Sequence, residues 1–207
     1  ETVSVALMDT IDLTDQWSLF LGVRLDSFDY SNVVVSGGTP TRYSYSDELW
    51  NGHAGLVYQF IPSANVYFTW STSANINGGE SDVGGNCGYG GLCGSADEIG
   101  NSKPEKAENI ELGTKWDLFN DKLLLSAAIF QITKDDVMEG ADYETTGTLN
   151  TGKNRVEGVE VGLSGNITDR LSTQFGASVM DAEVLRSDDP DNEGKTLANF
   201  ADKSLYM

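Results

Sequence analysis

The chain is 207 residues long and carries 32 acidic side chains against 13 basic ones, a formal net charge of −19. That balance excludes nucleic acid as a partner, because displacing counterions from phosphate needs an excess of lysine and arginine. The longest apolar run, LLLSAAIF at 123–130, falls well short of the roughly 20 residues of a membrane-spanning helix. This excludes a helical membrane protein but not a strand barrel, whose segments need only about 10 residues each.

Glycine is abundant (23) and proline scarce (4), a composition that suits strands and turns. A first strand is predicted over Val3–Leu13, ending at Thr14-Asp15-Gln16. The second, WSLFLGVRLDSF, starts at Trp17 and alternates. Trp17, Leu19, Leu21, Val23 and Leu25 form one side; Ser18, Phe20, Gly22, Arg24 and Asp26 form the other. A period of two marks a strand with one apolar and one polar face. The polar stretch that follows, to about Glu48, reads as a long loop.

The third strand, NGHAGLVYQF, turns at Ile61-Pro62-Ser63-Ala64 into the fourth, NVYFTWSTSAN. The longest loop spans roughly 77–105. The fifth and sixth strands lie in IELGTKWDLFNDKLLLSAAIF, with the turn at Asn120-Asp121. After a loop at about 138–152 comes the seventh, VEGVEVGLSGNI, which turns at Thr168-Asp169-Arg170 into the eighth, LSTQFGASVMDAEV. RSDDPDNEGKTLANFADK reads as a fourth long loop, and LYM as the start of a ninth strand.

Tight turns therefore alternate with long connections, and the tight turns recur at roughly 50 residues, as in outer-membrane barrels. A soluble sandwich connects its strands more evenly. Trp17, Phe60, Phe119 and Trp116 lie beside the tight turns, where an aromatic girdle belongs. The predicted fold is all-β: an antiparallel transmembrane barrel, of which eight to nine strands are present.

PEKAENIELGTKWDLFNDKLLLSAAIFQITKDDV (104–137) and GKNRVEGVEVGLSGNITDRLSTQFGASVMDAEV (152–184), with FLGVRLDSF (20–28) and GKTLAN (194–199), resemble the barrel of TonB-dependent outer-membrane receptors for ferric siderophores. The likeness touches most of the chain. It departs at Phe200-Ala201-Asp202, where the family usually has a proline. The resemblance implies a 22-stranded barrel filled by an N-terminal plug, with a box that engages the TonB–ExbB–ExbD complex. On that reading residues 1–207 are an interior portion of the barrel domain, without the plug or the C-terminal strands. The function it implies is capture and import of a ferric siderophore, in contact with outer-membrane lipid and lipopolysaccharide. The alternatives are a small structural or adhesive outer-membrane barrel and a soluble glycan-binding sandwich.

No catalytic set is assembled around the single histidine, His53, and no metalloprotease or phosphate-loop motif is present, so no enzyme and no cofactor is expected. Siderophore chelates stack on tyrosine and tryptophan, and arginine pairs with their oxygens. The candidates in the predicted loops are Tyr30, Arg42, Tyr43, Tyr45, Trp50, Tyr89 and Tyr143. Cys87 and Cys93, in GGNCGYGGLCG, read as a small disulfide ring, or else as two free thiols. Asp188, Asp189, Asp191, Asn192 and Glu193 cluster oxygen ligands of the kind calcium takes, but a solvated acidic loop is the expectation, with no resident metal.

Overall fold

The computed structural model describes residues 1–36, 38–75, 103–139, 149–168, 170–198 and 200–207. Nine strands form a single antiparallel sheet in which each pairs with its neighbour in sequence. They are β1 (Thr2–Asp12), β2 (Trp17–Ser36), β3 (Thr39–Ile61), β4 (Ala64–Asn75), β5 (Glu105–Leu118), β6 (Leu123–Glu139), β7 (Leu149–Thr168), β8 (Leu171–Arg186) and β9 (Lys203–Tyr206). Among the described residues no helix is long and apolar enough to cross a membrane. Among the described residues all strands lie in this one sheet and none forms a second sheet over it, as a sandwich would require. Since β1 and β9 do not pair, the small closed barrel is not formed either.

The tight turns stand at one end of the sheet. Thr14 Oγ1 accepts from the Gln16 and Trp17 amides at 3.2 and 3.1 Å, while Ile61 pairs with Ala64 across Pro62-Ser63. Phe119, Asn120 and Asp121 all take left-handed φ angles of 56°, 57° and 61°, a conformation that Asn and Asp tolerate well. Thr168 pairs directly with Leu171.

At the other end one expectation fails. The stretch read as a loop up to Glu48 is strand, and β2 and β3 stay in register up to Ser36↔Thr39. Gly38 has φ +84°, which glycine adopts without steric penalty. The connection at 187–202 also differs from an open loop. It carries a short 3₁₀ turn at Pro190–Asn192 and then runs back along β8, where Val184 donates to Lys195 O (2.9 Å) and Leu197 to Ala182 O (3.1 Å). Asp189 Oδ1 caps the 3₁₀ turn by accepting from the Asp191 amide at 3.0 Å. The acidic residues there shape the turn.

Register places the apolar side chains on one face. One row runs Phe68–Leu112–Ile129–Val159–Val179 across five strands, and each member is about half exposed, from 48% to 54%. Water against that row would forgo about half of the roughly 1.5–3 kcal/mol that full burial of each side chain is worth. Asp9 interrupts this face in β1, at the register of Leu21. Buried apolar residues are few among those described: Phe28, Tyr45, Leu49, Ala64, Leu123, Ala128 and Ala182. Among the described residues no protein core covers the apolar face. At the tight-turn end it is bordered by a chain of aromatics, with Trp17 stacked on Tyr58 at 4.5 Å, Tyr58 beside Phe60 at 6.5 Å, and Phe60 edge-on to Trp116 at 5.4 Å.

The opposite face is polar. Arg24 grips Asp26 through Nε (2.8 Å) and Nη2 (2.7 Å), and Ser4 Oγ donates to the same carboxylate at 2.5 Å. Tyr67 Oη donates to Glu111 at 2.6 Å, and the Lys115 ammonium lies 5.3 Å from the Tyr67 ring centre. Glycine at 22 and 113 makes room for large neighbours: a methyl group at Gly22 would run into the His53 ring, and one at Gly113 into the Tyr67 ring.

Candidate functional site

The β3–β4 ladder stops at His53↔Ser71, whereas β2–β3 pairing continues far beyond it. At the point of separation the Gly52 amide donates to Thr72 Oγ1 at 2.9 Å, a side-chain acceptor in place of a ladder carbonyl. Above it the β2–β3 hairpin projects as a two-stranded ribbon, a form marginal in water unless it buries apolar surface. This ribbon does so with its polar-side residues. Phe28, Tyr45 and Leu49 are 4%, 2% and 5% exposed, and Tyr30, Tyr43 and Ala74 pack at their margin. The Phe28 and Tyr45 rings meet edge to face at 5.1 Å.

Three of the residues singled out from sequence, Tyr30, Tyr43 and Tyr45, thus come together around Phe28 and Leu49. They sit on strands, not in a loop as expected. Tyr30 and Tyr45 are register partners, while Arg42 (opposite Val33) and Trp50 (opposite Leu25) project from the other face of the ribbon. Trp50 is 63% exposed. Tyr89, Tyr143 and the Cys87–Cys93 pair lie outside the described residues. Tyr45 Oη is buried with no hydrogen-bond partner among the described residues, and so is Asn51 Oδ1. Burial, and then the charge of Asp47, push the Tyr45 phenol far above its ordinary pKa. It is a neutral donor at any physiological pH.

Sequence reasoning missed Phe28 and Leu49, which anchor the cluster, and a second feature altogether. On the apolar side, beyond the apolar rows, Lys106, Asp135, Lys153 and Arg186 converge from four strands. Asp135 accepts from Lys153 Nζ at 2.7 Å and Arg186 Nη2 at 2.9 Å. The Lys153 hydrogen bond, opposed by partial burial, holds the Asp135 carboxyl below the usual carboxylate range. Nearby, Arg155 Nη2 binds Glu183 at 2.7 Å, and Gln131 Nε2 donates to Glu157 at 3.2 Å. Among the described residues no group of three or more His, Cys, Asp or Glu side chains is placed to hold a metal ion. The polar groups of both clusters suit binding and positioning.

The sequence matches the family model described as TonB dependent receptor-like, beta-barrel, over residues 1–205. It is 31% identical over 212 residues to a protein of Acinetobacter baumannii named "Probable TonB-dependent siderophore receptor PiuA", covering 100% of this chain and 26% of that protein. It is 28% identical over 226 residues to the Escherichia coli K12 catecholate siderophore receptor Fiu, covering 100% of this chain and 29% of Fiu. The fold superposes on the crystal structure of Fiu in its closed form with a TM-score of 0.78 at 27% identity, covering 99% of this chain and 31% of that one. For the PiuA crystal structure the TM-score is 0.77 at 28% identity, covering 99% and 30%. The chain thus spans between a quarter and a third of the length of these relatives. In an outer-membrane barrel of this kind the apolar face of such a sheet is the outer wall and the polar face the inner one. With a matched domain over nearly its whole length and a sheet of the same topology, the chain belongs to the TonB-dependent receptor-like β-barrel family.

Proposed function

We propose that this chain forms part of the wall of a receptor that captures a ferric siderophore at the cell surface and imports it with energy delivered through TonB, ExbB and ExbD. The observation that carries this reading is the likeness of this chain, over its whole span, in sequence and in fold, to part of proteins named as siderophore receptors. The projecting β2–β3 ribbon supports it. Its Tyr30 and Tyr43 rings, packed at the margin of the buried Phe28, Tyr45 and Leu49, offer aromatic faces and phenol donors to a chelate. The role is binding and transport, not catalysis. The receptor needs no cofactor of its own, since iron arrives as cargo.

The test is growth of an iron-starved strain, with and without the intact gene, on a panel of defined ferric siderophores. At least one siderophore should rescue growth only when the gene and an energised TonB system are both present. Equal growth with and without the gene across the panel rejects siderophore import, and thiol labelling before and after reduction tests separately the disulfide proposed between Cys87 and Cys93.

A further inference from the structure

A single charge interrupts the apolar wall. In β2 the outward positions run Trp17, Leu19, Leu21, Val23 and Leu25, while in β1 they run Val3, Val5, Leu7, Asp9 and Ile11. Asp9 stands directly across from Leu21 and is exposed, as are its outward neighbours Leu7 and Ile11. Leu21 lies about four residues beyond the aromatic Trp17, roughly 13 Å along the strand and roughly 10 Å along the membrane normal at a tilt of about 40°. Asp9 therefore sits inside the apolar band, too deep for so short a side chain to reach the headgroups.

The carboxylate also leans to one side. The Leu13 amide donates to Trp17 O and the Asp29 amide to Glu1 O, both at 2.8 Å. Odd-numbered residues of β1 thus direct their backbone groups to β2, and even-numbered ones direct theirs to the free edge. Thr10 is one of the latter, and its amide donates to Asp9 Oδ1 at 2.9 Å. The Asp9 side chain bends over the free edge of β1, and its Oδ2 has no partner among the described residues. Hydrocarbon cannot satisfy the donors and acceptors of that edge, so a further strand pairs there in the membrane. Its outward side chains lie about 4.5–5.5 Å from those of β1. A carboxylate and a cation are each penalised alone at this depth, and together they satisfy one another.

We propose that Asp9 forms an ion pair on the lipid face with an arginine or lysine of the strand that pairs with the free edge of β1, and that this pair fixes the register of the seam. A slip of one residue would turn the cation to the inner wall and leave Asp9 alone in hydrocarbon. A second copy of the chain fits the edge less well, because a twofold contact there brings one Asp9 toward another.

The experiment uses the full-length receptor folded into phospholipid vesicles. Asp9→Leu leaves the cation alone in the bilayer and should lower the folding equilibrium, measured by denaturant titration, by roughly 30- to 1,000-fold. Asp9→Glu keeps the charge and should fold close to wild type. Replacing both Asp9 and the cation opposite it by leucine should recover most of the loss. An Asp9→Leu variant as stable as wild type, or more so, overturns the proposal, since that is the result of taking an unpartnered acid out of lipid. Wild type supplies a second reading that needs no variant to fold. Dicyclohexylcarbodiimide, an apolar reagent that adds to protonated carboxyls, should leave Asp9 unmodified or join it through an amide to a lysine of the neighbouring strand. An N-acylurea on Asp9, or a link from Asp9 to a second copy of the chain, overturns the pair.

Discussion

Replacing Leu112 by arginine asks the sharpest question of the outer wall. Leu112 is 51% exposed and stands between Phe68 and Ile129 in the row that crosses the sheet. It lies about four residues beyond Trp116, roughly 13 Å along the strand and 10 Å along the normal, near the middle of the apolar band. An arginine there should cost about 2–4 kcal/mol, or roughly 30- to 1,000-fold in the folding equilibrium. A half-exposed site facing water would tolerate the same change within about 0.5 kcal/mol. Asn109→Arg, on the opposite face of the same strand, supplies the comparison, with an expected loss under about 1 kcal/mol. The assay is denaturant unfolding of the full-length barrel from phospholipid vesicles, read by heat-modifiable mobility. Equal small losses for the two variants would refute the assignment of the faces.

Gly113→Val should displace the Tyr67 ring and break its bond to Glu111, destabilising by about 1–3 kcal/mol in the same assay. Adding Tyr67→Ala should recover part of that loss. Tyr45→Phe removes a buried hydroxyl that has no partner among the described residues, so stability should hold or rise by up to about 1 kcal/mol, while Leu49→Ala should lose about 2–5 kcal/mol. Because the Asp135 carboxyl is held below its ordinary range, its contribution is complete above the unfolded-state pKa and vanishes as pH falls through the lower folded-state value. Unfolding midpoints of wild type and Asp135→Asn should therefore differ at pH 7 and converge on strong acidification. The gap should stay under about 1 kcal/mol, since the side chain is 38% exposed and solvent-screened.

The lower half of the wall was legible in the sequence because lipid on one side and a polar interior on the other impose a period of two. Trp17–Leu25, Ile110–Leu118 and Val159–Leu163 show it plainly, and Thr14, Pro62, Asn120 and Thr168 punctuate it. The upper half obeys a different rule. Beyond the membrane a strand need not carry an apolar row, so Asp29–Glu48 read as loop although β2 and β3 continue through it. The signal was present in Tyr43-Ser44-Tyr45-Ser46, alternating aromatic and polar, and in Gly-Gly at 37–38, a dipeptide that favours hairpin turns. Arg24 and Asp26, two apart on one strand face, carried a similar hint of an ion pair. The Lys106–Asp135–Lys153–Arg186 cluster had no such signature. It depends on a register across four strands and on a bulge at 134–137, neither of which any one segment encodes.

The neighbour of the apolar rows is measured most directly by scanning spin labels along β5, from Lys106 to Leu118, in the full-length protein in bilayers. Oxygen accessibility should peak at Ile110, Leu112 and Thr114, dip at Asn109, Glu111 and Gly113, and yield to a water-soluble relaxant at Lys106. A scan without that two-residue alternation, or one in which the water-soluble relaxant reaches Leu112 as readily as Lys106, would contradict a lipid-facing wall.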